Sequence, residues 1–396
     1  MTARIVLLVA GLVAATAAHA EIRYTMTHLG YVSNFQATSP ADINASGQVA
    51  GWSKTTRPSP TEPGYFVDHA FLYKSGVIQD LGSLGGESVG LGINDKGHVV
   101  GGSEIPLLPG ASGDADWRAF VYRDGVMTTL GTLGGQNSEA RAINSAGDVT
   151  GYSDTAASVT TLERHAFLYS NGSMVDLGTL GGTISYGTAL NDVGQVVGVS
   201  SVSSPGFLSH AFVYTNGVMT DLGSLAGPMG GSSASDINNA GQIVGASQFG
   251  SGPQSHAFLY DQGAMIDLGT LGGSDSRAAG INALGQIVGS SLVAGDTRHS
   301  AFIYDAGAMA DLNDLVDPNT GWLLTSANAI NDSGWIVASG YSNGRYAGFL
   351  LAPVPEPATY ALMLAGLGVI GAVVRRRCSG AIDSVSSVSS GTGSVR

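Results

Sequence analysis

The feature that most constrains the fold is a unit that recurs seven times along the chain. Each copy places an Asn directly after an apolar residue and a Gly three residues after the Asn, as in Ile43-Asn44 and Gly47. The seven Asn residues lie 44 to 50 residues apart and are Asn44, Asn94, Asn144, Asn191, Asn238, Asn282 and Asn331. A period of this length is typical of arrays in which each supersecondary unit buries its apolar face against its neighbours.

Two further marks accompany the first. The second is His-Ala-Phe or a near copy, and its Phe residues are Phe71, Phe120, Phe167, Phe212, Phe258, Phe302 and Phe349. The third is the phrase Asp-Leu-Gly-x-Leu-Gly-Gly, as at 176–182 and 267–273. Because the marks recur in the same order, we interpret the units as structurally equivalent.

Each unit is predicted to form four short strands. In the fourth unit these are 186–190, 195–199, 210–214 and 218–222. Asn191 can bond its own backbone at the first turn, and Gly194 supplies the positive φ that closes this turn. Asn216-Gly217 is typical of a type I′ hairpin turn between the third and fourth strands.

Four strands in about 47 residues predict a propeller blade, since one blade typically takes about 40 to 50 residues. A fourth strand stands alone at 24–30, and the last unit stops after its third strand at 347–351. We therefore predict that residues 21–353 form an all-β, seven-bladed β-propeller whose ring is closed by the N-terminal strand. Closure leaves few exposed strand edges, and it places the first strand of each unit nearest the axis.

The three marks resemble the extracellular HAF-repeat family of secreted bacterial proteins. The resemblance covers most of 24–351 and implies a compartment outside the cell, with no biochemical activity to carry over. Arg118, Ser300 and Gly348 are assigned to the His slot of the second, sixth and seventh copies, so a ring of seven metal-binding histidines is not expected. The remaining histidines are each predicted to pack or bond within their own blade, and they are His69, His165, His210 and His256.

The N-terminus is typical of a secretory signal peptide covering residues 1–20. An apolar run at 5–15 follows a basic start, and Ala18-His19-Ala20 is a small-x-small cleavage pattern. We predict cleavage between Ala20 and Glu21. The apolar run is too short to cross about 30 Å of hydrocarbon at a rise of about 1.5 Å per residue, which argues against a membrane anchor here.

The C-terminal segment 354–377 has three ordered parts. Pro355-Glu356-Pro357 comes first, the uncharged stretch 358–374 follows, and three basic residues end it: Arg375, Arg376 and Arg377. The stretch is long enough, at about 25 Å, to predict a transmembrane helix. The Ser/Gly-rich tail 378–396 is predicted to be disordered.

This arrangement resembles the PEP-CTERM sorting signal of Gram-negative bacteria. The resemblance implies recognition by an exosortase-type membrane protease, followed by display at the cell surface or release outside the cell. Proteins of this type usually accompany exopolysaccharide production. The family normally ends near the basic cluster, so the tail after Arg377 leaves open whether the motif is cleaved in this chain.

Composition excludes several function classes. The formal net charge is -13, which argues against nucleic-acid binding, because that needs Lys and Arg against phosphates. The single Cys378 excludes an intramolecular disulfide and a Cys-based zinc site. No nucleophile elbow or phosphate-binding loop is present, so we predict no catalytic residue, no resident metal and no cofactor. Ca²⁺ bridging between acidic surfaces remains an open alternative.

The loops between second and third strands differ from unit to unit and emerge, with those between fourth and first strands, on one face of the ring. Loops of this kind tend to carry recognition. Aromatic side chains beside carboxylates suit sugar stacking and hydroxyl bonding. The candidate ligand-binding residues are therefore Tyr65, Asp114, Asp116 and Trp117.

These observations favour an exported cell-surface or extracellular-matrix protein that acts as a non-enzymatic binding module. The expected target is exopolysaccharide, as in a biofilm, or another surface protein. The alternative is a propeller-based enzyme that acts on glycans, a hydrolase or a lyase. Unlike carboxylates beside a His or Tyr on the variable-loop face would favour the enzyme.

Overall fold

Twenty-eight β-strands and three 3₁₀ turns build the computed structural model, which describes residues 24–34, 37–59, 64–106, 116–159, 163–203 and 208–354. The strands are β1 Tyr24–His28, β2 Thr38–Ile43, β3 Val49–Pro58, β4 Phe66–Lys74, β5 Val77–Asp80, β6 Ser88–Ile93, β7 Val99–Glu104, β8 Trp117–Arg123, β9 Val126–Gly131, β10 Gly134–Ile143, β11 Val149–Thr155, β12 Arg164–Ser170, β13 Ser173–Asp176, β14 Gly181–Leu190, β15 Val196–Val202, β16 Ser209–Thr215, β17 Val218–Asp221, β18 Ser232–Ile237, β19 Ile243–Gln248, β20 Ser255–Asp261, β21 Ala264–Asp267, β22 Gly272–Ile281, β23 Ile287–Val293, β24 His299–Asp305, β25 Ala308–Asp311, β26 Leu323–Ile330, β27 Ile336–Ser342 and β28 Arg345–Pro353. The 3₁₀ turns are Ala156–Val159, Leu312–Asp314 and Pro318–Thr320.

The strands form antiparallel sheets in which the four strands of one unit follow each other in chain order. Four such sheets are β2–β5, β6–β9, β18–β21 and β22–β25, and a fifth has the order β1-β28-β27-β26. The eight strands β10–β17 form one continuous sheet. The link within it is a parallel pairing of Arg164 in β12 with Ile184 in β14.

The predicted architecture of seven separate blades with a C-terminal transmembrane helix is wrong in two respects. Five blades are independent four-stranded sheets, whereas the strands of the third and fourth units share a single sheet. The two units are joined at one pair of residues: β14 begins at Gly181, five residues before its predicted start, and Ile184 in this added part pairs with Arg164. β10 and β22 begin at equivalent glycines without such a pairing. No helix in the described part of the chain is long and apolar enough to span a membrane; the predicted span 358–374 lies outside that part.

The first and last strands of the propeller belong to the same sheet. β1 lies beside β28, and the Leu29 amide donates to the Gly348 carbonyl oxygen at 3.0 Å. Tyr24 and Leu29 are 4% and 2% exposed. The N-terminal strand therefore supplies the outer strand of the last blade, as the ends of the sequence predict.

The apolar core lies in the gaps between successive units. One fully buried Phe from each unit occupies these gaps: Phe71, Phe120, Phe167, Phe212, Phe258, Phe302 and Phe349. Phe258 of β20 shares a buried cluster with Val197 of β15 in the preceding unit. Phe71 in the first unit clusters with Val337 of the last, so the core is continuous around the ring. Truncating a buried Phe typically costs about 3–5 kcal/mol.

A closed ring of asparagines surrounds the axis and explains the first repeated mark. Each Asn Nδ2 donates to the backbone carbonyl oxygen of the equivalent Asn in the next unit, at 3.0 to 3.3 Å. The last bond runs from Asn331 to Asn44 and joins residues 287 apart in sequence. Each Asn Oδ1 accepts amides of its own turn, as Asn191 does from the Gln195 amide at 3.0 Å. Every Asn thus stabilises both its own turn and the contact with the next unit.

Candidate functional site

The seven units contribute equivalent residues to one end of the central channel and unlike residues to the other. At the end formed by the Asn turns, a cavity of about 230 Å³ is lined by equivalent residues from all seven units. The asparagines there are 2% to 6% exposed, and their side chains are engaged with the backbone of the ring. This end is therefore explained by ring closure.

The variable-loop end of the channel breaks the repeat. Two residues before the apolar residue of the first mark, the seven units carry Ala41, Leu91, Arg141, Thr188, Ser235, Ala279 and Asn328. Four residues before it they carry Ser39, Val89, Glu139, Tyr186, Ser233, Arg277 and Ser326. A cavity of about 470 Å³ at this end is lined by Trp52, Val89, Leu91, Glu139, Arg141, Thr188 and Ser235. Unlike side chains from neighbouring units therefore converge at this end of the channel.

Arg141 is held in a fixed orientation beside this cavity. Its Nε donates to Glu139 Oε1 at 3.1 Å, and its side chain is 39% exposed against 14% for Glu139. The guanidinium carbon lies 5.4 Å from the ring centroid of Tyr152 and 5.8 Å from that of Tyr186. Cation–π contacts of this length stabilise an arginine over an aromatic face.

A second arginine completes the group. Arg164 Nε donates to Asp154 Oδ1 at 2.8 Å, and its guanidinium carbon lies 4.6 Å from the Tyr152 centroid. The rings of Tyr152 and Tyr186 meet edge to face at 5.1 Å. We call the group of six the arginine–tyrosine cluster: Glu139, Arg141, Tyr152, Asp154, Arg164 and Tyr186.

Tyr152 of this cluster is kept protonated. Burial, followed by the negative charge of Glu139, raises the pKa of Tyr152 to about 12. A phenol with a raised pKa is a hydrogen-bond donor and a stacking surface, whereas a nucleophile requires a lowered pKa or an adjacent base. The geometry of the cluster therefore suits binding better than covalent chemistry.

The predicted ligand-binding residues are only partly brought together. Asp116 and Trp117 are neighbours at the start of β8, and Asp116 Oδ2 pairs with Arg118 at 3.1 Å. The Trp117 indole packs on Gly102, where any side chain would overlap it, and its Nε1 is buried without a hydrogen-bond partner among the described residues. Trp117 is thus largely enclosed by its own blade.

Of the other two candidates, Tyr65 is 64% exposed in the loop between β3 and β4. Within the described part of the chain, no hydrogen bond or ring contact joins it to Trp117 or Asp116. Asp114 lies outside the described residues.

A hydrogen-bonded path nevertheless connects the second variable loop to the cluster. The Trp117 amide donates to Asn137 Oδ1 at 2.9 Å, and Asn137 Nδ2 donates to Asp154 Oδ2 at 2.9 Å. The other oxygen of Asp154 accepts from Arg164. The backbone of the predicted loop residue therefore positions the cluster, although its side chain lies elsewhere.

The arginine–tyrosine cluster was not predicted from the sequence, because the marks that the units share do not include it. Its members are departures from the repeat, such as Arg141 in a column that otherwise lacks charge. A column-by-column comparison of the first and second strands carries this signal.

Four histidines each form a hydrogen-bonded pair with an aspartate of the same sheet. The sequence predicted that each His packs or bonds within its own blade, without naming its partner. Each His Nδ1 lies 2.8 or 2.9 Å from an oxygen of the aspartate eleven residues later, in the neighbouring strand of the same sheet: His69–Asp80, His165–Asp176, His210–Asp221 and His256–Asp267. The prediction of bonding within the blade is confirmed. The same aspartates cap the following turn, as Asp80 accepts the Gly82 amide at 2.7 Å.

The strand register corrects one predicted position. Ala347, not Gly348, occupies the His slot of the seventh unit, since Ala347 pairs with Gly340 as His69 pairs with Ser53. In this unit the Asp slot is taken by a histidine of the N-terminal strand. His28 Nδ1 accepts the Gly30 amide at 2.8 Å, the bond that Asp80 makes in the first unit.

His165→Gln is expected to cost about 1–2 kcal/mol of unfolding free energy while leaving ligand binding unchanged. The reason is that the His165 side chain is 14% exposed and its Nδ1 is bonded to the Asp176 carboxylate, which is 44% exposed, so the change removes one partly exposed hydrogen bond. Urea unfolding measures the loss, with exposed His299→Gln as the control that should change little. Unchanged stability combined with lost binding would contradict the structural role.

Two aspartates lie near the axis at a position where the other units carry Gly or Ala. Asp42 accepts the Ile43 amide at 2.8 Å and the Ile93 amide of the next unit at 2.9 Å. Asp236 makes the equivalent two bonds in the fifth and sixth units. Burial raises the pKa of Asp42 to about 7 and that of Asp236 to about 6.

The contribution of these two aspartates to stability is expected to fall as pH rises from about 4 to about 7. The unfolded chain releases the protons near pH 4, whereas the folded chain keeps them until about pH 6 to 7. Their contribution to stability is therefore largest below the unfolded pKa and declines up to the folded pKa, by at most about 1.4 kcal/mol per pH unit and group. Urea unfolding at several pH values, compared with the Asp42→Asn/Asp236→Asn double variant, measures this. A wild-type minus variant difference that does not change with pH would contradict it.

No group of three or more His, Cys, Asp or Glu side chains placed to hold a metal ion occurs in the described ranges. The acidic residues at the Asn-turn end are instead used within the ring. Asp192 Oδ1, for example, accepts the Ser145 amide of the preceding unit at 2.9 Å.

The C-terminal segment matches a known sorting motif. The last propeller strand, β28, ends at Pro353, and the match to a sorting motif begins at that residue. Residues 353–377 are a PEP-CTERM protein-sorting motif. The PEP-CTERM motif implies export, a cell-surface or extracellular location and processing by an exosortase-type membrane protease. The predicted sorting residues Pro355 to Pro357 and Arg375 to Arg377 fall within the match and, like the predicted cleavage site at Ala20 and Glu21, outside the described residues.

The propeller itself carries a second match. Residues 179–346 match the model of DUF3466, a family described as a protein of unknown function. The resemblance to HAF repeats stays a prediction. No curated protein has a significantly similar sequence.

Two solved structures are similar to this chain at low sequence identity. The β-propeller domain of the Trilobed protease from Pyrococcus furiosus, described as having an open Velcro topology, matches with a TM-score of 0.54 at 9% identity, over 81% of this chain and 98% of that one. Acylaminoacyl peptidase from Pyrococcus horikoshii matches with a TM-score of 0.51 at 9% identity, over 81% of this chain and 52% of that one. At such identity the likeness concerns the fold alone.

Proposed function

We propose that this exported propeller is a non-enzymatic binding protein that holds a carbohydrate at the variable-loop end of its channel. The observation that carries the proposal is the cavity that Trp52 and Arg141 line beside the arginine–tyrosine cluster. Saccharides present apolar C–H faces and many hydroxyl groups, so their sites combine aromatic rings with fixed polar groups. The expected target is an exopolysaccharide outside the producing cell, and a surface protein is the other candidate partner.

Departure from the repeat supports a function at this place. A repeat protein conserves its own packing residues from unit to unit, and here those are the ring Asn, the buried Phe and the His–Asp pair. Arg141, Tyr152 and Tyr186 add nothing to that shared scaffold. Their stacking and ion pairs fix their orientation before a ligand arrives, which lowers the entropy lost on binding.

The glycan-acting enzyme remains the competing hypothesis because carboxylates and tyrosines do meet in the cluster. Two features favour binding over hydrolysis. Glu139 and Asp154 are each engaged by an arginine, at 3.1 and 2.8 Å. The raised pKa of Tyr152 makes this phenol a poor nucleophile.

The test uses the fragment 21–353, because Tyr24–Ala352 forms one compact unit with its own core. Exopolysaccharide purified from the producing cells is titrated with this fragment, with and without EDTA, while polymer length is followed by size-exclusion chromatography. We expect saturable binding without shortening of the polymer. Loss of binding with EDTA would add Ca²⁺ bridging to the mechanism.

A matched pair of variants locates the site. Trp52→Ala removes an aromatic wall of the cavity and is expected to weaken binding about tenfold or more. Trp322→Ala changes the same residue type in the last unit, away from this cavity, and should leave affinity unchanged. Absence of binding, or equal effects of both changes, would contradict the proposal, and shortening of the polymer would favour the enzyme.

A further inference from the structure

Positive charge is scarce in this protein, and its placement is informative. The chain has 17 Lys and Arg against 30 Asp and Glu. A strongly acidic protein repels anionic ligands except where cationic groups are fixed in a local site. Arg141 and Arg164 both lie in the arginine–tyrosine cluster, within about 6 Å of the same two tyrosine rings.

Arg141 is oriented so that part of its guanidinium group can donate to a molecule in the cavity. Glu139 binds Nε, and the two tyrosine rings support the plane of the group. The two terminal amino groups are therefore the donors that a molecule in the cavity meets. Such a planar fork matches the two oxygens of a carboxylate, and these charge-assisted bonds are about twice as strong as neutral ones.

The remaining walls of the cavity have a different chemistry. Trp52, Val89 and Leu91 provide an apolar wall, while Thr188 and Ser235 contribute hydroxyl groups. Thr188 Oγ1 donates toward the Ala234 carbonyl oxygen at 2.9 Å, which leaves its lone pairs as acceptors. A ligand that satisfies all of these walls has an apolar face, hydroxyl groups and one anionic group.

We infer that the cavity binds a sugar carrying a carboxylate, a uronic acid residue, and that Arg141 pairs with that carboxylate. This inference rests on the proposed carbohydrate-binding function and adds the class of sugar and the residue that selects it. Glu139 is a positioning residue, because it holds Arg141 and is itself largely buried.

The test compares two ligands that differ at one group, methyl β-D-glucuronide and methyl β-D-glucoside, by isothermal titration with fragment 21–353. We expect the glucuronide to bind about tenfold more tightly, with a preference that shrinks at high salt. Arg141→Gln should abolish the preference for the glucuronide, and Arg141→Lys should keep part of it. Arg123→Gln, the same charge change at an exposed residue that does not line this cavity, should have no effect.

The outcomes separate this inference from the proposed function. Equal affinity for both ligands, a preference that survives Arg141→Gln, or failure of the glucuronide to bind would overturn the uronic acid assignment. In each case binding of the purified exopolysaccharide still decides whether the propeller binds carbohydrate at all. Loss of the preference in Arg123→Gln as well would show a general charge effect and would also overturn the assignment.

Discussion

A chain that starts at Val32, and so lacks β1, is expected to lose the closed propeller, with a fall in unfolding midpoint of more than about 10 °C or outright aggregation. β1 lies against β28 and covers its outer edge. Without it, nine residues of β28 become an exposed edge that can pair with another chain. The deletion also removes Leu29, which belongs to the buried cluster of Phe71 and Leu350.

The control is a chain that starts at Tyr24 and therefore keeps β1. Circular dichroism melting and light scattering compare the two chains. A synthetic peptide covering 21–31 should bind the shortened chain and restore its melting temperature, since it supplies the missing strand. A shortened chain that stays monomeric with an unchanged midpoint would show that closure does not depend on β1.

Asn191→Ala is expected to lower the unfolding free energy by about 3 kcal/mol or more. The side chain is 4% exposed and makes three bonds: Oδ1 accepts the Gln195 amide, and Nδ2 donates to Gln195 Oε1 and to the Asn238 carbonyl oxygen. Alanine leaves the Gln195 amide without a partner, at about 1–3 kcal/mol, and removes two further hydrogen bonds worth about 1 kcal/mol each. The Asn238 carbonyl oxygen keeps its bond from the Gly241 amide.

The matched control for this change is Asn239→Ala, because Asn239 is exposed and bonds only exposed groups of Asp192. Asn191→Asp is the second variant, which keeps the Oδ1 acceptor and removes the Nδ2 donor. We expect an intermediate loss for it. Urea unfolding orders the three, and equal losses for Asn191→Ala and Asn239→Ala would refute the role of the ring.

The sequence predicted the features that each unit carries within itself. The turn at Asn191, the hairpin at Asn216-Gly217 and the lone N-terminal strand were all identified from local residue types and their order. Local rules suffice for the two turns because their bonding partners lie within a few residues, whereas the N-terminal strand was identified from the order of the repeated marks.

The hydrogen bonds between units described above were not predicted, because no local sequence pattern encodes them. The Asn side chain was assigned to its own turn, and its second bond, to the next unit some 47 residues away, depends on how the units are arranged about the axis. The single parallel pairing of Arg164 with Ile184, which merges two units into one sheet, likewise has no signal in the repeat.

The binding site that we propose from the structure uses residues other than those selected from the sequence. Trp117 was selected as an aromatic residue in a variable loop, but in the structure its ring packs on Gly102. Arg141 and Tyr186 lie in strands, where the sequence analysis expected only packing. A regular strand can carry a functional side chain when it lines a channel, because its inward positions then meet ligand rather than core.

The position of β28 has a mechanical consequence. This strand lies between β1 and β27 in its sheet, and the sorting motif begins at its last residue, Pro353. A pull along the strand, applied through the chain that follows it, would load the hydrogen bonds on both of its sides together, in shear, rather than opening them one at a time. A protein tethered through this end would therefore withstand a pulling force through the β1–β28 hydrogen bonds that also close its ring.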